Sequence, residues 1–194
     1  MTVRIRRAFF QDERAAALVE FTLIMPMLFA LTFGIADFGS VFFQYQALNA
    51  ATEMATRLAA TRAMYNFTAA GFPDCGVVTA ATPGTPCSQV AGSTTWTPVV
   101  CSGAAAAANC NAAVMNRLVT EMQKAYPAMT LANLVVTYRP SGLGFVGLGK
   151  PVPLVTVTIT GIPARFVVLS AFGLNNVILP NFNATIPAED LTGT

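Results

Sequence analysis

The run from Ala15 to Ala36 constrains this chain more than any other part of it, because Glu20 is its only charged residue. At ~1.5 Å per residue the run measures about 33 Å as a helix, which matches a hydrocarbon core ~30 Å thick. Such a stretch predicts a helix that spans a membrane, assigned here to residues 16–36. Arg4, Arg6, Arg7 and Arg14 precede it, and few basic residues follow it closely. That asymmetry predicts the N-terminus in the cytoplasm and the rest of the chain on the far side. A cleavable secretory signal is the alternative, since it too begins basic and continues apolar. Against it stand a carboxylate early in the run, a length beyond the usual ~7 to 15 residues, and the lack of a clean small-x-small exit.

The remainder repeats the same message more weakly. Only 10% of the 194 residues are charged and 54% are apolar, whereas globular domains carry about 25% charge. The deficit points to a membrane or an assembly. Net charge is +2, with no stripe of Lys and Arg to neutralise successive phosphates, which argues against nucleic acid as a partner. The length suits one anchor and one domain of roughly 100 to 150 residues.

Past Asp37, the residues Phe38, Val41, Phe42, Tyr45, Leu48, Thr52, Ala55 and Leu58 recur every three or four positions. This period predicts an amphipathic helix over residues 37–65, with Gln44, Asn49, Glu53, Arg57 and Arg62 on its other face. Anchor and amphipathic helix together make one rod of roughly 50 residues, bent near Pro26. Residues 66–194 are expected to form an extracytoplasmic domain. Gly103–Tyr126, with five successive alanines, predicts a second helix stopped by Pro127. Leu131–Tyr138 and Val152–Thr160 read as strands; in the latter Val155, Val157 and Ile159 alternate with Thr156, Thr158 and Thr160. Asn176–Ile186 supplies a final strand. Phe166–Phe172 reads as a short helix, a strand or a membrane-facing patch, and is too short to span a bilayer. Its apolar residues are assigned to the core, with docking onto another subunit as the alternative.

Asn66–Ser102 is rich in Pro and Gly and reads as a long irregular segment, the expected partner-facing surface. Cys75 and Cys87 lie in it, Cys101 at its end and Cys110 just beyond. An even cysteine count in a loop-rich region favours disulfides over free thiols. Zinc is disfavoured because no pair has the short spacing it prefers and the chain contains no His. Of three possible connectivities, Cys75 with Cys87 and Cys101 with Cys110 is adopted without sequence support over the other two.

Two phosphate-binding patterns are rejected. Gly142-Leu143-Gly144-Phe145-Val146-Gly147 and Gly144–Lys150 both need a helix to follow, and Pro151-Val152-Pro153 leads into a strand instead. The segment reads as a flexible hairpin connection. With no His and no paired carboxylates, the chain lacks the usual groups for acid–base or nucleophilic catalysis, and no cofactor is implied.

The order Ala15-Ala16-Ala17-Leu18-Val19-Glu20-Phe21, then Pro26, then Gly34-Ile35-Ala36-Asp37-Phe38-Gly39 and Gln46-Ala47-Leu48-Asn49-Ala50-Ala51 resembles the N-terminal region of TadE-like pseudopilins. These are minor pilin-like proteins of the bacterial tight-adherence (Flp) pilus system. The resemblance covers roughly residues 13 to 60. It implies a leader, residues 1–15, cut by a prepilin peptidase between Ala15 and Ala16, where the family commonly has Gly before the cut. It further implies that Glu20, Phe21 and Asp37 serve subunit assembly, with Glu20 pairing the freed amino group of Ala16 on a neighbour. The expected architecture is α+β: a long transmembrane and amphipathic helix, then a small pilin-like domain with one further helix and an antiparallel sheet. The expected place is the bacterial inner membrane, or a pilus assembled from it, with other pilin-like subunits as partners. A single-pass protein whose outer domain binds a ligand is the competing hypothesis, and an envelope enzyme the third.

Overall fold

Leu134, Val136 and Tyr138 are buried while Val135, Thr137 and Arg139 are not, and this period of two sets one face of a sheet inward. In the structure, a computed structural model that describes residues 13–62, 64–65, 82–90, 97–104, 110–147, 152–173, 177–189 and 191, those residues form β2, Leu134–Arg139. The other strands are β1, Val99–Ser102, β3, Leu154–Ile159, and β4, Phe182–Pro187. All neighbours are antiparallel, in the order β1-β2-β3-β4. The expected alternation in β3 holds: Val155, Val157 and Ile159 are buried and the threonines between them are half-buried. Thr156 and Thr185 hydroxyls meet across β3 and β4 at 2.8 Å.

Among the described residues two α-helices accompany the sheet, and the fold is α+β: α1, Glu13–Thr61, and α2, Ala112–Ala125. Contact clustering divides the chain into one unit containing α1 through Phe43 with Ala164–Val177, and a second containing Gln44–Pro163 with Ile178 onward. In the second unit the core draws on the sheet's inward face, on Met115, Leu118, Val119 and Met122 of α2, and on α1. The α1 contribution is a seam of small residues, Ala51, Thr52, Ala55, Thr56, Ala59 and Ala60, below Leu48. Thr52 and Thr56 are buried without loss because each hydroxyl donates to the carbonyl four residues back, at 2.7 and 2.6 Å. Tyr45 meets Phe182 of β4 with ring centroids 5.0 Å apart.

Several expectations shift here. α1 ends at Thr61 rather than near Tyr65, and Tyr65 instead bridges Cys110. Phe38 and Phe42, expected on the buried stripe, are exposed, because small residues rather than aromatics form the seam. α2 begins at Ala112, well after Gly103, since the Asn111 side chain caps it by accepting from the Ala113 and Val114 N–H groups. The alanines at 105–108 lie outside the described residues. Leu131–Asn133 is a 3-10 turn, so β2 starts at Leu134. β1 falls within the segment expected to be irregular. Between β2 and β3, Leu143–Gly147 lies against Gly84–Cys87: Gly84 N–H donates to Val146 O at 2.9 Å and Cys87 N–H to Gly144 O at 3.0 Å. The segment joins the antiparallel strands β2 and β3, as expected of a hairpin connection, and this backbone pairing ties it to Gly84–Cys87.

Candidate functional site

The N-terminal half of α1 is the surface that the sequence singles out. Its apolar residues point in every direction: Leu18, Phe21, Leu23, Met27, Phe29, Leu31 and Ile35 are all exposed. A helix apolar all round needs apolar surroundings. It is long and apolar enough to cross a membrane, and none of the apolar stretch is buried within the chain. Pro26 sits inside it with the helix running on through that position. Pro26 has no N–H to give the preceding turn, and in that turn the Thr22 hydroxyl donates to Leu18 O and Val19 O at 2.9 and 2.8 Å.

Ala15 and Ala16 lie in the first turns of α1, with Glu20 about one turn further on. Glu20 and Phe21 are both exposed. Among the described residues the salt bridge found is Lys124 with Glu121, so Glu20 has no cationic partner among them. A carboxylate on an apolar helix without a partner is costly in lipid, by several kcal/mol at the bilayer centre.

Asp37 stands in the opposite situation. It is 3% exposed, and its carboxylate accepts three backbone N–H groups: Val167 at 3.0 Å on Oδ1, and Val168 and Leu169 at 2.9 and 2.7 Å on Oδ2. The Leu169 bond, opposed by desolvation and reinforced by the Val167 and Val168 bonds, holds the carboxyl below its ordinary range. Around this clamp, Ser40 Oγ donates to Asp37 O at 2.7 Å and lies 3.4 Å from Arg165 O. Phe38 meets Phe166 edge-on with centroids 6.1 Å apart. Leu169–Phe172 then makes a 3-10 turn closed by Gly173 at φ 89. The partners of Asp37 could not be read from the sequence. They are backbone groups, which leave no side-chain signature, and they lie some 130 residues away.

The cysteines lie elsewhere. Cys101 and Cys110 stand at disulfide distance, with Cα atoms 5.8 Å apart. Cys87 is also in a disulfide and packs against Val146, while Cys75 lies outside the described residues.

No curated protein and no solved structure matches this chain. Residues 15–57 match the model of the TadE-like protein family. The match runs from the Ala15-Ala16 pair through Glu20, Pro26 and Asp37 into the buried seam, so the similarity to that family lies in the N-terminal segment.

Proposed function

We propose that this chain is a minor pilin-like subunit that takes part in the biogenesis or assembly of a Flp-type pilus. The observation that carries the reading is the coincidence of the TadE-like match, residues 15–57, with an apolar helical stretch of which no part is buried and whose one charge is the carboxylate of Glu20. In this reading residues 16–36 cross the inner membrane with the N-terminus cytoplasmic, and the α+β domain lies in the periplasm. A prepilin peptidase cuts between Ala15 and Ala16, removing the arginine-rich leader and creating an α-amino group on Ala16. That cation pairs with Glu20 of a neighbouring subunit. The pair satisfies both charges in a low-dielectric environment and fixes the axial register between protomers. Phe21 packs against the neighbouring helix beside it. Asp37 contributes indirectly, by holding the surface of the anchor where it leaves the membrane. The domain has a scaffolding role and no catalytic one.

Intact mass of the protein from its native host tests the processing step. A chain beginning at Ala16 supports the reading, and one retaining its leader removes it. For the pairing, Glu20→Gln should leave membrane insertion intact while sharply lowering incorporation into filaments; unchanged incorporation would count against the role given to Glu20.

A further inference from the structure

Beyond the anchor itself, the structure assigns a second membrane-contacting element: the segment Arg165–Ser170, which we infer lies in the headgroup and acyl boundary of the bilayer beside α1. The inference rests on the reading of residues 16–36 as membrane-spanning. Asp37 is the first charged residue after Glu20, so it marks the depth at which the uncharged run ends. The three N–H groups of Val167, Val168 and Leu169 are fixed to that carboxylate, and the segment is therefore held at the same depth.

The chemistry of the segment suits this place. Val167 is 77% exposed, and Phe38, Phe42 and Val177 in the same unit are exposed as well. In water such exposed apolar residues are unfavourable, whereas at the membrane boundary they meet lipid as the residues of the anchor do. Non-helical backbone near hydrocarbon is tolerated only where its polar groups are satisfied. Here Asp37 takes three N–H groups, Ala164 N–H donates to Val177 O at 2.8 Å, and the Ser170 hydroxyl donates to Val167 O at 2.8 Å. Arg165 supplies a cation at the edge, where it favours anionic headgroups. A neighbouring subunit would also cover apolar residues, but the lipid around the anchor is already present at this depth before any subunit arrives.

Depth-dependent fluorescence quenching tests this on the full chain in phosphatidylcholine–phosphatidylglycerol vesicles. The native Trp96 is first replaced by Phe, and a single reporter is introduced as Val167→Trp or, in the anchor, as Phe29→Trp. Val167 is exposed, so its variant does not disturb the core. Emission from the Val167→Trp protein should fall at least about twofold with lipids brominated near the headgroup and much less with lipids brominated deep in the chain, given an insertion of ~5–10 Å. Deep bromines should quench the Phe29→Trp protein. Quenching at position 29 without quenching at 167 overturns the interfacial placement while leaving the anchor intact. If position 167 is instead shielded only as protein density in the vesicle rises, the occupant is another subunit and the lipid assignment fails. Absence of quenching at both positions removes the anchor reading and this inference with it.

Discussion

The backbone N–H of Leu169 donates to the carboxylate of Asp37 at 2.7 Å across 132 residues of sequence. An acid that follows an apolar run of the N-terminal helix thus organises a segment from near the other end of the chain. Removing the carboxylate leaves three N–H groups without their acceptor. Asp37→Ala should therefore speed amide exchange of Val167, Val168 and Leu169 by on the order of tenfold or more, with little change in β2 and β3. Asp37→Asn keeps one acceptor oxygen and should fall between the two. Hydrogen exchange read by mass spectrometry or NMR checks this, and uniform loss of protection across the sheet would contradict a local role.

The same contact has a definite pH dependence. Three N–H bonds, led by that of Leu169, lower the folded-state pKa of Asp37 from its ordinary 3.8. A depressed carboxylate stabilises the folded state in full above the unfolded value and loses that contribution as pH falls through the lowered folded value. The loop amides should keep their protection down to pH ~4 and lose it only below, whereas Asp37→Asn should show a flat profile over that range. Loss of protection at pH 5 or above would contradict the assignment.

Tyr138 gives a second, alkaline test in the sheet. Burial, partly offset by the Met64 N–H bond, pushes its phenol from 10.0 up to about 12. The raised group stabilises the fold fully below pH 10 and loses that contribution as pH rises through about 12. Absorbance titration should show one tyrosine ionising late and together with unfolding. Met64 N–H donates to the Tyr138 hydroxyl at 3.1 Å, so Tyr138→Phe should cost about 1–3 kcal/mol by leaving that donor unsatisfied. Urea denaturation measures the loss.

The sequence exposed those features that depend on local period. The uncharged run, the three-to-four spacing beyond it and the Val/Thr alternation of β3 each follow from one element's own geometry; the first and third reappear in the structure, and the second does so from Leu48 through Thr52 and Ala55, while Phe38 and Phe42 are exposed. β1 leaves no periodic signal in the sequence because Val99–Ser102 is four residues long and owes its conformation to pairing with β2, a long-range partner. The start of α2 lies later than alanine propensity predicts for a related reason. Alanine propensity argued for a helix from Gly103, but the Asn111 cap and the Tyr65–Cys110 bridge place its beginning at Ala112. In the site, Glu20 was conspicuous as a charge in an apolar helix, whereas the role of Asp37 depends on backbone donors that any sequence could supply.

Gly103 is a position where the fold demands the absence of a side chain. A Cβ there would collide with the carbonyl oxygen and carbon of Leu131, while the Gly103 N–H donates to Leu134 O at 2.9 Å. The obstruction is backbone and cannot rotate away. Gly103→Ala should destabilise the domain by at least about 1–3 kcal/mol. Gly39, on α1, has nothing within 4 Å of an added Cβ, so Gly39→Ala should be neutral or stabilising by up to ~1 kcal/mol. Thermal denaturation of the two variants side by side checks the contrast, and equal effects would contradict it.

The Cys101–Cys110 link closes a loop of nine residues in sequence separation, joining β1 to the residue before the Asn111 cap. Among the described residues β1 is an edge strand whose ladder partner is β2, so the covalent tie carries much of what holds it. Closing so short a loop restricts the unfolded chain by an amount worth roughly 2–3 kcal/mol. General reduction would confound the measurement, because Cys87 is disulfide-bonded too. The paired substitution Cys101→Ser with Cys110→Ser isolates this link. Its denaturant midpoint should fall by the amount above, and exchange at Val99–Ser102 should accelerate before exchange in β3. β1 sits beside the Asn111 cap through this link, so α2 should lose protection in its first turn while its later turns, anchored by the buried Leu118 and Met122, keep theirs. A variant that loosens β3 as readily as β1 would show that the edge strand is held by packing instead.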